Sequence, residues 1–181
     1  YKLQYFLDNN LIEDVNAKSV TYKFISEYSV VTEKMIGHLE ELCLKRNDTA
    51  RICMHANPND DLHNMVIAHP KEKYIQPHAN TEHSKLYHHI KGEMLIVGFS
   101  EHGTEIFRLL LNDENKILRI EKDIYLFLWV FNKVCVFNET TLGPFNPTNT
   151  NKYLESFPDE NDISKTNNLI RTIIKKGSYG T

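Results

Sequence analysis

From Arg51 to Phe145 the chain is a succession of short apolar runs, each bounded by turn residues and none long enough for an ordinary helix. The runs RICMH, NMVIAH, YIQPH, KLYHHI, EMLIVGF, EIFRLLL, KILRI, IYLFLWVF and VCVFNET are rich in β-branched and aromatic side chains, which suit a pleated surface. Asn57-Pro58-Asn59-Asp60, Lys91-Gly92, His102-Gly103, Asn112-Asp113 and Asn132-Lys133 punctuate them. Many strands at this spacing restrict the fold to an all-β sandwich or barrel. Pro77 lacks an N–H and is expected at a strand edge or bulge. No internal repeat is visible, so a single β-unit is predicted.

The flanks read differently. Residues 32–46 predict a helix: Thr32 caps it, Val31 staples onto Ile36, and Met35, Ile36, Leu39, Leu42 and Cys43 form one apolar stripe. Asn47-Asp48 ends it. The stretches YKLQYFL and VTYKFI before it read as extended. After Gly143-Pro144-Phe145 an Asn/Thr/Pro-rich stretch is expected to wrap the β-unit. A terminal helix over 162–176 follows, from the Asp162 cap to Gly177, with Leu169, Ile170, Ile173 and Ile174 as its apolar set. The predicted organisation is 1–49 extended segments and helix, 50–147 β-unit, 148–181 wrap and short helix.

Composition sets the outer limits. A chain of 181 residues, 41% hydrophobic and 25% charged, is that of an ordinary globular domain. A net charge of -3 argues against a nucleic-acid footprint. The basic Arg171, Lys175 and Lys176 fit a helix C-terminus, where cations offset the dipole. Cys43, Cys53 and Cys135 lie far apart in apolar stretches without zinc-type spacing, as buried reduced thiols of a cytoplasmic protein do. The longest apolar run, Ile124 to Phe131, is too short to span a bilayer, and no secretory signal is visible, so no membrane insertion is expected.

Three segments carry a more specific likeness: ARICMHANPND at 50–60, YIQPHANTEHSKLYHHIKGE at 74–93 and NETTLGPFNP at 138–147. The stretch from Thr32 to Pro158 resembles the WbuC-type cupins, a family named from bacterial O-antigen and other surface-polysaccharide gene clusters. That resemblance implies a single cupin, a jelly-roll β-barrel, and a homodimer, since cupins often pair through barrel edges and terminal segments. It also implies a metal site of two histidines one residue apart, a glutamate, and a third histidine in a later P-x-G-x-x-H motif. Here His78 holds the first position, but Asn80, Lys85 and Leu126 hold the others, while Gly92 keeps the turn glycine. In the later motif Glu121 replaces the proline and Asp123 the glycine. A transition metal needs three or four imidazole, thiolate or carboxylate ligands at about 2.0–2.3 Å. Asn80 is a poor ligand, Leu126 is none, and Lys85 places a cation where the metal belongs, so no metal and no other cofactor is expected.

What such a pocket can still do follows from its residue types. Desolvation disfavours a lysine's charged form, which would make Lys85 a base or Schiff-base former against apolar walls. A histidine near neutrality can move protons beside a sugar carbonyl. His78, Lys85, His88 and His89 are therefore the catalytic candidates, with strand alternation sending His88 and His89 to opposite faces. Arg51, suited to a phosphate or carboxylate, and His55, Asn80, Ser84 and Tyr87, suited to hydroxyls, are the substrate-binding candidates. Glu139 matches the family pattern and reads as structural; Tyr125, Phe127, Trp129 and Phe131 read as core. The leading expectation is a metal-free WbuC-like cupin that binds or modifies a sugar or nucleotide-sugar by isomerase- or epimerase-type proton transfer. A non-catalytic cupin scaffold and a metalloenzyme with a rearranged histidine set, drawing on His83, His88 and His89, remain open beside it.

Overall fold

A computed structural model describes residues 10–146 and 150–177. Among the described residues, twelve strands and two helices run in the order β1 (Leu11–Glu13), β2 (Val20–Phe24), α1 (Glu33–Arg46), β3 (Ala50–Cys53), β4 (Leu62–Pro70), β5 (His78–Asn80), β6 (Lys85–Lys91), β7 (Met94–Phe99), β8 (Glu105–Leu111), β9 (Ile117–Ile120), β10 (Tyr125–Trp129), β11 (Val134–Leu142), β12 (Asn151–Tyr153) and α2 (Ile163–Lys175). The extended reading of YKLQYFL falls outside the described residues, whereas VTYKFI contains β2.

The strands form two sheets. The larger has the order β1-β2-β3-β4-β11-β6-β9 and the smaller β12-β5-β10-β7-β8. Every neighbouring pair is antiparallel except β2 and β3, which run parallel in register Val20↔Ala50 to Lys23↔Cys53. Parallel neighbours need a crossover, and α1 supplies it. The N-terminal helix is thus the connector of a β-α-β unit built onto one edge of an otherwise antiparallel sandwich.

Side-chain parity then sorts the residues into layers. On the outer face of the large sheet, Ala50, Ile52, Val66, Ala68 and Val136 pack against Met35, Ile36, Leu39 and Cys43 of α1. Thr32 caps this helix by accepting from the Met35 N–H, and Asn47 closes it in the left-handed region (φ 48°). On the outer face of the small sheet, Leu95, Val97, Phe99, Tyr125, Phe127 and Trp129 pack against Ile170 and Ile173 of α2, whose cap is Asp162. Between the sheets lie Ile67, Tyr87, Met94, Ile96, Leu111, Leu126, Cys135 and Phe137. Strand β7 is apolar at all six positions because both of its faces are covered.

This helix–sheet–sheet–helix stack fills the space between the sheets only at one end. At the other the odd-numbered residues of β2, β3 and β4, Lys85 and Tyr87 of β6, Phe137, Glu139 and Thr141 of β11, and the even-numbered residues of β5 and β10 face a cavity. Gly92 makes the turn from β6 to β7 at φ +79°, and a Cβ there would collide with the Val134 carbonyl. Pro77 precedes β5, and its carbonyl accepts the Leu154 N–H. The YIQPH run enters a strand only at its final residue, His78.

Candidate functional site

The cavity encloses about 650 Å³, the size of a small-molecule site. Its lining mixes charged and polar groups with apolar side chains. Strand β3 contributes Arg51 and Cys53, followed by His55; β4 contributes His63, Met65, Ile67 and His69; β6 contributes Lys85 and Tyr87. Strand β11 adds Phe137, Glu139 and Thr141, and the small sheet closes the far wall with His78, Asn80, Leu126 and Leu128. Arg51 reaches inside because Ala50 and Ile52 must face α1, leaving its own parity to the interior.

At the centre is an ion pair: Lys85 Nζ lies 3.3 Å from Glu139 Oε1, and both side chains are almost wholly shielded from solvent. The Tyr87 hydroxyl donates to the same carboxylate. Burial pushes the Glu139 carboxyl up, but Lys85 and Arg51 outweigh it and hold the group below the ordinary carboxylate range. Burial raises the Tyr87 phenol well above its usual value. His78 is driven down to about 4, first by burial and then by the Lys85 ammonium, so its imidazole is neutral at neutral pH. His69, tied to Thr49 Oγ1 and the Lys73 carbonyl, also falls to about 4 through burial. His55 is lowered by burial and by His63, on which its ring stacks at 4.0 Å between centroids. The Cys53 thiol is pushed up to about 11 by burial and is therefore a poor nucleophile.

The candidates divide by location. His78, Lys85, Arg51, His55, Asn80 and Tyr87 all line the cavity. Lys85 does not stand against apolar walls as a free amine; its partner is Glu139, so it is the cation of a buried pair. Asn80 borders the cavity, but its Oδ1 accepts the backbone N–H groups of Glu82 and His83 and holds the turn. Ser84 lies outside, bonded to Glu121 Oε2 in a surface network with Arg119, because its parity opposes that of Lys85. His88 is exposed on the outer face of β6. His89 shares the inward parity of Lys85 and Tyr87, yet its ring is bound to the Gly92 carbonyl at 2.6 Å and does not line the cavity.

Sequence reading under-weighted Glu139 and passed over His63 and His69. All three belong to strands that pair with a neighbour already known to face inward: Glu139 lies opposite Tyr87, and His69 opposite Cys135. Strand pairing was the missing signal.

The residues do not fit the metal that a cupin commonly holds. Leu126 sits directly across from His78 in the β5–β10 register, and Asp123 adopts the left-handed conformation (φ 63°) that suits a motif glycine. The aliphatic side chain therefore meets His78 where a further imidazole would be required, and the Lys85–Glu139 pair supplies its own charge compensation. Among the described residues no three His, Cys, Asp or Glu side chains are grouped to hold a metal ion.

A family model described as a domain of unknown function (DUF6016) matches residues 45–111. No curated protein matches the chain. Among solved structures, the chain is similar to the capsular polysaccharide assembling protein CapF of Staphylococcus aureus, with a TM-score of 0.52 and 10% identity over 80% of this chain and 32% of that one. It is also similar to the oxalate decarboxylase of Lactobacillus farciminis (TM-score 0.44, 8% identity, 54% of this chain and 28% of that one). Procruciferin, an 11S globulin of Brassica napus, gives a TM-score of 0.44 and 13% identity over 52% of this chain and 23% of that one. The chain spans about a third or less of each of these proteins. At such identities the likeness is one of fold, and the fold is a cupin-like jelly roll.

Proposed function

We propose that this chain is a metal-free, WbuC-like cupin whose cavity binds a sugar or nucleotide-sugar and moves a proton on it, in bacterial surface-polysaccharide assembly. One observation carries the reading: a 650 Å³ cavity in which Lys85, Glu139, Tyr87, His78 and Arg51 converge among apolar walls. Sugars present both hydroxyls and C–H faces, which matches a lining that combines charged and polar groups with Met65, Ile67, Leu126 and Leu128. The role of CapF as a capsular polysaccharide assembling protein is consistent with this setting, and the Arg51, His55, Tyr87 and Glu139 matches to the WbuC pattern support it.

The chemistry assigned is isomerisation or epimerisation. Glu139, kept as a carboxylate by Lys85 and Arg51, takes the proton from a carbon beside the sugar carbonyl. The C–H electron pair moves onto the carbonyl oxygen, and the Lys85 ammonium stabilises the resulting enolate. Returning the proton to the opposite face of the same carbon, as the electron pair falls back from the oxygen, completes an epimerisation; returning it to the former carbonyl carbon, with the hydroxyl proton passing from the neighbouring oxygen to the enolate oxygen, completes an isomerisation, so neither needs an oxidant.

The test is a thermal-shift series with free sugars and nucleotide-sugars, since a ligand at a hundred times its Kd stabilises the folded state by about 2.7 kcal/mol. A binder is then incubated in deuterated water with the wild type, Glu139→Gln and Lys85→Met. Expected is deuterium at one sugar carbon with the wild type and a loss of at least about a hundredfold in exchange with Glu139→Gln. Binding without exchange would leave a carbohydrate-binding module, and failure of every sugar would favour the scaffold reading.

A further inference from the structure

Of the charged side chains that line the cavity, Asp14 pairs with Lys23 at 2.6 Å and Lys85 pairs with Glu139. Arg51 is left over. Its Nε is the buried side-chain polar atom without a hydrogen-bond partner among the described residues, and its guanidinium has no carboxylate within ion-pair distance there. Strand β3 holds it rigidly: Ile52 and Ala50 are fully buried on the other face, and Arg51 lies opposite Ile67 of β4. Leaving a buried donor unsatisfied is costly, and a guanidinium presents a planar fork matched to carboxylate or phosphate oxygens. Two cations against one carboxylate make the inner cavity net positive, an imbalance that a neutral ligand does not correct.

We propose that the ligand carries a carboxylate or phosphate group that pairs with the Arg51 guanidinium, so the sugar this cavity takes is an acidic one. This rests on the sugar reading above and narrows it. The anionic group sits between Arg51 and the Lys85–Glu139 pair, completes the unused Nε hydrogen bond, and directs the rest of the molecule toward Tyr87, His78 and the apolar wall. Arg51 is thereby a specificity-determining residue, and neutral hexoses are discriminated against because they leave its charge uncompensated.

The test is calorimetric titration of the full chain at pH 7.5 and low salt with galactose, galacturonate, galactose 1-phosphate, UDP-galactose and inorganic phosphate. Expected is binding of at least one acidic sugar, weakening as salt is added, with galactose at least about tenfold weaker. Arg51→Met is expected to lose at least about tenfold in affinity for that sugar, while Arg51→Lys retains part of it. The melting curve of unliganded Arg51→Met reports folding; should it be unfolded, Arg51→Lys and the salt dependence carry the decision. Equal binding of galactose and its acidic counterparts, or unchanged affinity in a folded Arg51→Met, overturns the acidic-ligand inference and leaves the sugar reading standing. Arg51-dependent binding of inorganic phosphate with no sugar bound preserves the anion site and sinks the sugar reading. Binding of nothing in the series sinks both.

Discussion

At the scale of single residues the decisive fact is that Lys85 and Glu139 compensate one another. A lysine alone in this cavity would be a strong candidate base; a lysine 3.3 Å from a carboxylate is an electrostatic partner, and in the proposed reaction the base is Glu139 instead. Breaking such a pair strands the remaining charge. Lys85→Met and Glu139→Gln should each lower unfolding free energy by about 3 kcal/mol, and the double variant should lose clearly less than their sum. Urea denaturation of the four proteins measures this, and additive losses would show that the two groups do not interact. Lys85 was legible in the sequence because it stands at a motif position. Glu139 was assigned a structural role because nothing in a linear string shows that its neighbour across the sheet is Tyr87. Ser84 and His88 stood at positions of the family pattern and His89 beside them, and strand parity and one hydrogen bond to Gly92 take them out of the cavity.

Among the elements, the antiparallel strands were readable because each short apolar run ends in turn chemistry, and β6, β7, β8, β10 and β11 fall within or close to their runs. Helix α1 was equally plain from its cap and stripe. Its position was not: sequence periodicity says which face is apolar but not that the helix crosses between parallel strands β2 and β3. That crossover is what turns Arg51 inward, so the residue's role depended on a long-range pairing that local pattern does not encode. The β6–β7 turn is the clearest local determinant. At φ +79°, with the Val134 carbonyl where a Cβ would lie, Gly92→Ala should cost about 2 kcal/mol or more. A shift in the denaturation midpoint with an unchanged slope would register it, and a neutral substitution would mean that the turn is not fixed as described.

For the whole molecule, burial of neutral histidines links the fold to pH. His69 and His78 titrate near 4 when folded and near 6.5 in an unconstrained chain, so between those values the unfolded state binds the extra protons. Their contribution is complete above about pH 6.5, declines as pH falls, and is gone below about pH 4. Each is worth up to roughly 3 kcal/mol over that interval. Glu139 acts in the same direction at the acid end, because a carboxyl held low when folded takes up its proton more readily when unfolded. Burial, reinforced by Lys85 and Arg51, keeps His78 neutral, while the same two cations keep Glu139 ionised against burial. Of the two histidines, His69 is the cleaner probe, since its ring is fully buried and its partners, Thr49 Oγ1 and the Lys73 carbonyl, carry no charge. Urea midpoints taken from pH 7.5 to pH 4 should fall steadily for the wild type. In His69→Gln, which can keep one of those hydrogen bonds, the protein should begin less stable at pH 7.5 and lose less on acidification. Parallel pH profiles for the two proteins would show that His69 is not buried neutral.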